Sequence, residues 1–129
     1  MNTNNKLNKA NSYRLSQELL RNKALKKGVN LVAPETIFLS NDTFFGKNVT
    51  VDPYVVIGPS VKIGDNSHIK SFSYLEGTKI EKNVSVGPYA RLREGTVLKK
   101  NTKIGNFVET KKSSINQNSK VSAPATHSK

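Results

Sequence analysis

An apolar residue recurs at every sixth position through most of this chain, and that interval belongs to neither a helix nor an uninterrupted strand. Phe45, Val51, Ile57, Ile63, Ile69 and Leu75 form the first run; the count drops by one and resumes at Ile80, Val86, Leu92, Leu98 and Ile104. Thr110 takes the next place, one residue is again skipped, and Ile115 and Val121 follow. Helices repeat about every 3.6 residues and strands about every 2. A period of six is therefore a short strand plus a turn, repeated. The residue two before each place is small or β-branched, as at Val49, Val55, Ser67, Thr78, Ala90 and Ser119.

A longer period lies above this one. The tetrads FGKN (45–48), IGDN (63–66), IEKN (80–83), LKKN (98–101) and INQN (115–118) all end in Asn, at spacings of 18, 17, 18 and 17. A second series ends in an aromatic: VDPY (51–54), IKSF (69–72), VGPY (86–89) and IGNF (104–107). A third is smaller there: IGPS (57–60), LEGT (75–78), LREG (92–95) and TKKS (110–113). Three unlike hexads in fixed order make a three-sided coil. Equivalent sides stack about 4.8 Å apart through parallel ladder bonds, and the aliphatic series fills the prism between them. Corners need positive φ, which Gly and Asn tolerate best. The fold expected is an all-β, left-handed parallel β-helix of hexapeptide repeats over residues 29–122, about four and a half coils long.

The flanks read differently. Residues 1–11 are polar, rich in Asn and Lys, and expected to be disordered. Residues 12–28 carry Leu15, Leu19, Leu20, Ala24 and Leu25 at helical spacing, closed by Lys26, Lys27 and Gly28, and are expected to form a helix. Residues 123–129 form a polar tail that is expected to be disordered. No run is long and apolar enough to span a membrane, and the N-terminus lacks the apolar core of a secretory signal, so the cytoplasm is the expected compartment. Cysteine is absent, and His68 and His127 are the only histidines, which argues against a metal site.

The net charge of +12 raises a nucleic-acid partner. It comes from 17 Lys spread along the chain against 4 Arg, among 15 Asn. Nucleic-acid readers favour Arg forks or open aromatic platforms. A solvated, Lys- and Asn-rich surface is the preferred explanation, and a nucleic-acid partner is disfavoured.

The stretches GVNLVAPETIFLSNDT (28–43), VVIGPSVKIG (55–64), IKSFSYLEGTKI (69–80), VGPYARLREGT (86–96) and IGNFVETKKSSI (104–115) resemble the bifunctional N-acetylglucosamine-1-phosphate uridyltransferase/glucosamine-1-phosphate acetyltransferase family. The strings SYLEG, GPYARLR and GNFVETKK carry most of that likeness, which runs from about residue 14 to 122. The resemblance implies a β-helix behind a linker helix, and a trimer; the partner expected is a homotrimer's other copies or a full-length relative. It also implies acetyl transfer from acetyl-CoA to the amino group of glucosamine 1-phosphate, for UDP-N-acetylglucosamine and peptidoglycan precursor synthesis.

Arg93 and Lys111 each follow the inward residue of the third series in adjacent coils, so they are expected one rung apart. Two neighbouring cations suit an anion that bridges them; Arg supplies a planar fork for phosphate and Lys a point charge. Solvated surface cations are the plainer reading of the residues alone. The resemblance places both on the family's sugar-phosphate ligands. It also implies a His general base twelve residues after Lys111, where this chain has Ala123, and a methyl group takes no proton. His127 lies four residues further on, and His68 reads as an exposed polar residue. Glu94 replaces the family's Pro and is expected to weaken an anion at Arg93. The family's acetyl-CoA coils have no counterpart after VSAP (121–124). The chain is thus expected to be a truncated homologue, inactive alone and binding no cofactor by itself. A non-catalytic trimeric binding or assembly module, and an acetyltransferase with another base, are the alternatives.

Overall fold

A computed structural model describes residues 2–123. After one helix, the chain winds through fifteen strands of two or three residues in three parallel sheets, about five turns of a β-solenoid. The six-stranded sheet holds Asn30–Leu31, Thr50–Val51, His68–Ile69, Ser85–Val86, Lys103–Ile104 and Lys120–Val121. The four-stranded sheet holds Val56–Ile57, Tyr74–Leu75, Arg91–Leu92 and Glu109–Thr110. The five-stranded sheet holds Phe44–Phe45, Lys62–Ile63, Thr78–Ile80, Thr96–Leu98 and Ser114–Ile115.

The registers follow the hexads. Val51 pairs with Ile69 and Ile69 with Val86; Ile57 pairs with Leu75 and Leu75 with Leu92; Ile63 pairs with Ile80. These residues and the Val series before them are at most 2% exposed, from Val49 to Leu98. Polar members of the interior series are satisfied locally: Ser67 Oγ donates to Glu81 O at 3.0 Å and Thr102 Oγ1 to Lys99 O at 2.9 Å. Such bonds remove the cost of burying a hydroxyl.

The solenoid begins at residue 29, as expected, but makes about five turns instead of four and a half. Leu31 pairs with Val51 and Phe38 bridges to Val56, so residues 29–43 form a first coil, with Val29, Leu31, Ile37 and Leu39 all buried. Its register is masked in the sequence because one corner is enlarged by a 3-10 turn, Pro34–Thr36. Leu31 and Val51 are twenty positions apart instead of eighteen.

The helix starts earlier than expected, running Asn2–Lys27 where residues 1–11 were expected to be disordered. No Gly or Pro interrupts that stretch, and Lys, Leu and Ala favour the helix. Gly28, at φ 103°, ends it: its N–H bonds Leu25 O and the N–H of Val29 bonds Ala24 O. Its leucines do not all turn inward. Leu15, Leu19 and Leu25 are exposed, while Ala24 is buried and Leu20 packs against the core. Polar side chains do the docking. Gln17 donates from Nε2 to Leu39 O at 2.8 Å and accepts from Leu39 N–H at 2.9 Å, as a neighbouring strand would. Arg21 Nε reaches Ile37 O at 2.8 Å, and Lys27 Nζ donates to Phe45 O. Open backbone groups of Ile37, Leu39 and Phe45 are thus taken up by the helix.

Each corner stacks into a column of left-handed residues. Asn48, Asn66, Asn83, Asn101 and Asn118 have φ of 59–64°, and Asn48 Nδ2 donates to Asn66 Oδ1 at 2.9 Å. Tyr54, Phe72, Tyr89 and Phe107 have φ of 57–63°. Their rings stack at 5.3, 5.0 and 5.2 Å between centroids. The third column is Ser60, Gly77, Gly95 and Lys112. At Gly77 the next coil lies so close that a Cβ would stand 2.8 Å from Glu94 Cα. Residues 124–129, including most of the expected tail, lie outside the described residues.

Candidate functional site

The outer face of the four-stranded sheet is the most charged strip that the registers assemble. Its outward positions stack Tyr74, Arg91 and Glu109 on successive rungs. Just past the inward residues come Glu76, Arg93 and Lys111, and Arg93 N–H bonds Thr110 O, so Arg93 and Lys111 are ladder neighbours. Period-2 alternation puts Leu92 and Thr110 inside and these side chains outside.

The two cations are not equally free. Glu109 Oε2 accepts from Arg93 Nη1 at 3.2 Å and from Arg91 Nη1 at 3.4 Å. The anion expected between cations is therefore supplied, in part, by the chain itself. Lys111 is exposed and makes no ion pair among the described residues. Glu94, expected to oppose an anion at Arg93, lies over Gly77 in the corner beside Pro59, Ser60 and Glu76 instead. One rung back, Tyr74 Oη donates to Glu76 Oε1 at 2.7 Å. That bond, some burial and the Glu76 charge hold the phenol above its usual range, against a smaller opposing pull from Arg91.

Thr110 anchors the strip from within. It occupies an inward aliphatic place, and its Oγ1 lies 2.9 Å from Thr96 Oγ1, which donates to Arg93 O at 2.7 Å. The residue beneath Lys111 is thus tied to the backbone of Arg93.

The other candidates lie apart from this strip. His68 belongs to the six-stranded sheet, where Nε2 meets Asp52 Oδ1 at 2.9 Å. Ala123 is partly buried against the core, two residues past the last strand of that sheet. His127 lies outside the described residues. Among the described residues no three His, Asp or Glu side chains are grouped for a metal, and no helix is long and apolar enough to cross a membrane. Tyr74, Glu76, Arg91 and Glu109 are the strip residues not singled out from the sequence, and Arg91 and Glu109 are the ones that bear on the two cations. Their signal was there: Glu109 falls on the outward alternation two before Lys111, one coil beyond Arg91.

Comparison with known proteins bears on this arrangement. Residues 42–77 match the family described as bacterial transferase hexapeptide, six repeats. The bifunctional protein GlmU of Xanthobacter autotrophicus is 53% identical over 118 residues, 92% of this chain. This chain is a GlmU homologue. The GlmU proteins of Rhodopseudomonas palustris and Azorhizobium caulinodans are 52% and 50% identical over the same share. The chain spans 26% of the length of each of these GlmU relatives. Serine acetyltransferase isoform 3 of Entamoeba histolytica shares the fold, with a TM-score of 0.62 at 21% identity, over 91% of this chain and 42% of that one. The GlmU likeness therefore covers both the helix and the solenoid, including the strip that carries Arg93, Glu109 and Lys111.

Proposed function

We propose that this chain is the sugar-phosphate-recognising part of a GlmU-like glucosamine-1-phosphate N-acetyltransferase domain, and that it does not acetylate by itself. The observation that carries this reading is the placement of Arg93 and Lys111 on adjacent rungs of one exposed sheet. A phosphate dianion spanning that rung would take two charge-assisted contacts. Glu109 would set the geometry: it holds the Arg93 fork toward Lys111's rung and yields part of it to a more highly charged oxyanion. A cytoplasmic location and association with further copies or a longer relative belong to the same reading.

Acetyl-CoA is the acyl donor implied. Around Arg93 the strip is open, with Arg91 and Glu109 more than half exposed. Among the described residues it has no walls to hold a pantetheine chain and an adenine. These residues fit the sugar phosphate and not the donor. Ala123, where the base is implied, supports binding without transfer.

The test is a titration with N-acetylglucosamine 1-phosphate, following backbone amides by NMR. Shifts should cluster on residues 91–95 and 109–113 and vanish in Arg93→Ala/Lys111→Ala. Each contact is worth about 1.5–3 kcal/mol when desolvated and less at an open surface. Equal binding by wild type and double mutant would rule the site out.

A further inference from the structure

Glu76 is the acidic residue of the strip that no cation of the described residues neutralises. It stands one rung before Arg93 in the row that continues to Lys111: Glu76 N–H bonds Leu92 O as Arg93 N–H bonds Thr110 O. The row therefore runs negative, positive, positive. Arg93 is near enough in the ladder to pair with Glu76, yet its guanidinium turns the other way, to Glu109. A partly buried carboxylate beside a phosphate site opposes the anion unless the same ligand also carries a cation.

The direction of this carboxylate is fixed. Tyr74 Oη donates to Glu76 Oε1 at 2.7 Å. That bond chiefly holds the phenol above its usual range, so the hydroxyl remains the donor at neutral pH. The phenol ends over Gly58 in the preceding coil, where a Cβ would stand 3.2 Å from Tyr74 Oη and 3.2 Å from Glu76 Cβ. Gly58 is not at positive φ, so room and not backbone conformation is what glycine supplies there. Oε2 of Glu76 has no hydrogen-bond partner among the described residues and is left for a ligand. Glu94 lines the same corner hollow, but it is exposed and no side chain holds it.

We propose that Glu76 is the ammonium ligand of the strip. With a sugar phosphate held at Arg93 and Lys111, its carboxylate takes the protonated amine on the neighbouring ring carbon. The inference rests on the sugar-phosphate reading above and adds to it the residue that reads the amine. Opposite charges one rung apart, about 4.8 Å, suit a zwitterion whose amine and phosphate sit on adjacent carbons. Glu109 does not serve, because its Oε2 is already shared by two guanidinium groups. Tyr74 is a positioning residue that aims Glu76. Acetylation removes the positive charge, so an acetylated sugar phosphate loses this contact.

Calorimetric titration of the full chain at neutral pH, with glucosamine 1-phosphate against glucose 1-phosphate, tests this. The wild type should prefer the amino sugar by about three- to fivefold, the range of a partly exposed ion pair. Glu76→Gln, nearly isosteric and still able to accept from Tyr74, should lose the preference and bind glucose 1-phosphate more tightly, since an opposing charge is gone. Tyr74→Phe, which releases the carboxylate, should lower the preference, and Glu94→Gln should keep it. A measurement on the wild type alone guards against a variant that fails to fold: N-acetylglucosamine 1-phosphate should bind more weakly than glucosamine 1-phosphate. Equal wild-type binding of the amino and neutral sugars, or a preference that survives Glu76→Gln, overturns the ammonium ligand and leaves the phosphate site standing. A wild type that binds none of the three overturns both.

Discussion

Arg93 donates from Nη1 to Glu109 Oε2 at 3.2 Å, one rung across the four-stranded sheet, and so stands beside Lys111 already partly neutralised. An incoming phosphate competes with this carboxylate. Glu109→Gln should therefore tighten sugar-phosphate binding, by up to about fivefold given that exposed ion pairs contribute roughly 0–1 kcal/mol. Calorimetric titration of both proteins checks this; weaker binding by Glu109→Gln would mean that the carboxylate touches the ligand instead of competing with it.

Catalysis should be missing from the isolated chain. Loss of a positioned base costs about 10²–10⁴-fold, and Ala123 stands where the family resemblance implies one. Acetyl-CoA and glucosamine 1-phosphate together should release no more free thiol than acetyl-CoA alone. Release that depends on both substrates would contradict this, and His127→Ala would then show whether that residue had taken the role.

The threonine pair beneath the strip should behave unequally. Thr96 Oγ1 gives its proton to Arg93 O, so Thr110 is the donor between the two hydroxyls. Thr96→Val strands the Thr110 donor in a site only 8% exposed and should cost about 1–3 kcal/mol. Thr110→Val should cost less than about 1 kcal/mol, and the double variant should be more stable than Thr96→Val alone. Urea unfolding of the three variants decides it, and simple additivity would exclude the assigned donor direction.

Much of this architecture was legible before any coordinates. Phe45 to Ile104 announce the inward series because each coil repeats the same strand-plus-corner, and the Asn and aromatic tetrads announce two of the three corners. What failed had local causes. The inward series could not be carried back through the first coil because the Pro34–Thr36 turn moves Leu31 out of the six-residue count. Helix residues 2–11 lack an apolar face, so no periodicity marked them. Gln17 was passed over because its value lies in mimicking a strand edge for Leu39, a role with no sequence pattern. For the site, the Arg93–Lys111 adjacency came from the coil count, while the Glu109 pairing needed the same count applied to an acidic residue.

Tyr74 should titrate late. Its phenol is held above the usual range chiefly by the bond to Glu76, so the folded state keeps its proton at a pH where the unfolded chain has begun to lose it. That contribution to stability is full below about pH 10 and is lost as pH rises through the folded value. Absorbance titration at the phenolate band, wild type against Tyr74→Phe, reads it directly. A difference spectrum centred at or below the free tyrosine value would refute the assignment.

Hydrogen exchange on the 129-residue chain should be graded. Ser114–Ile115 and Lys120–Val121 have a ladder partner on one side only, and Ile115 and Val121 are only partly buried. Their amides should exchange well before those of Val56–Ile57 and His68–Ile69. Equal protection would indicate that a partner covers these strands.

The three corner columns also bear on why the chain winds in only one way. Every side is a short strand between apolar places, so a coil that slipped by one side would still bury its aliphatic residues. It would, however, set Asn66 against a ring and Phe72 against Gly77 or Ser60, breaking the amide pairs and the ring stack together. The columns act as a key with three unlike teeth. Burial alone would allow several windings of this sequence, and the corners leave one.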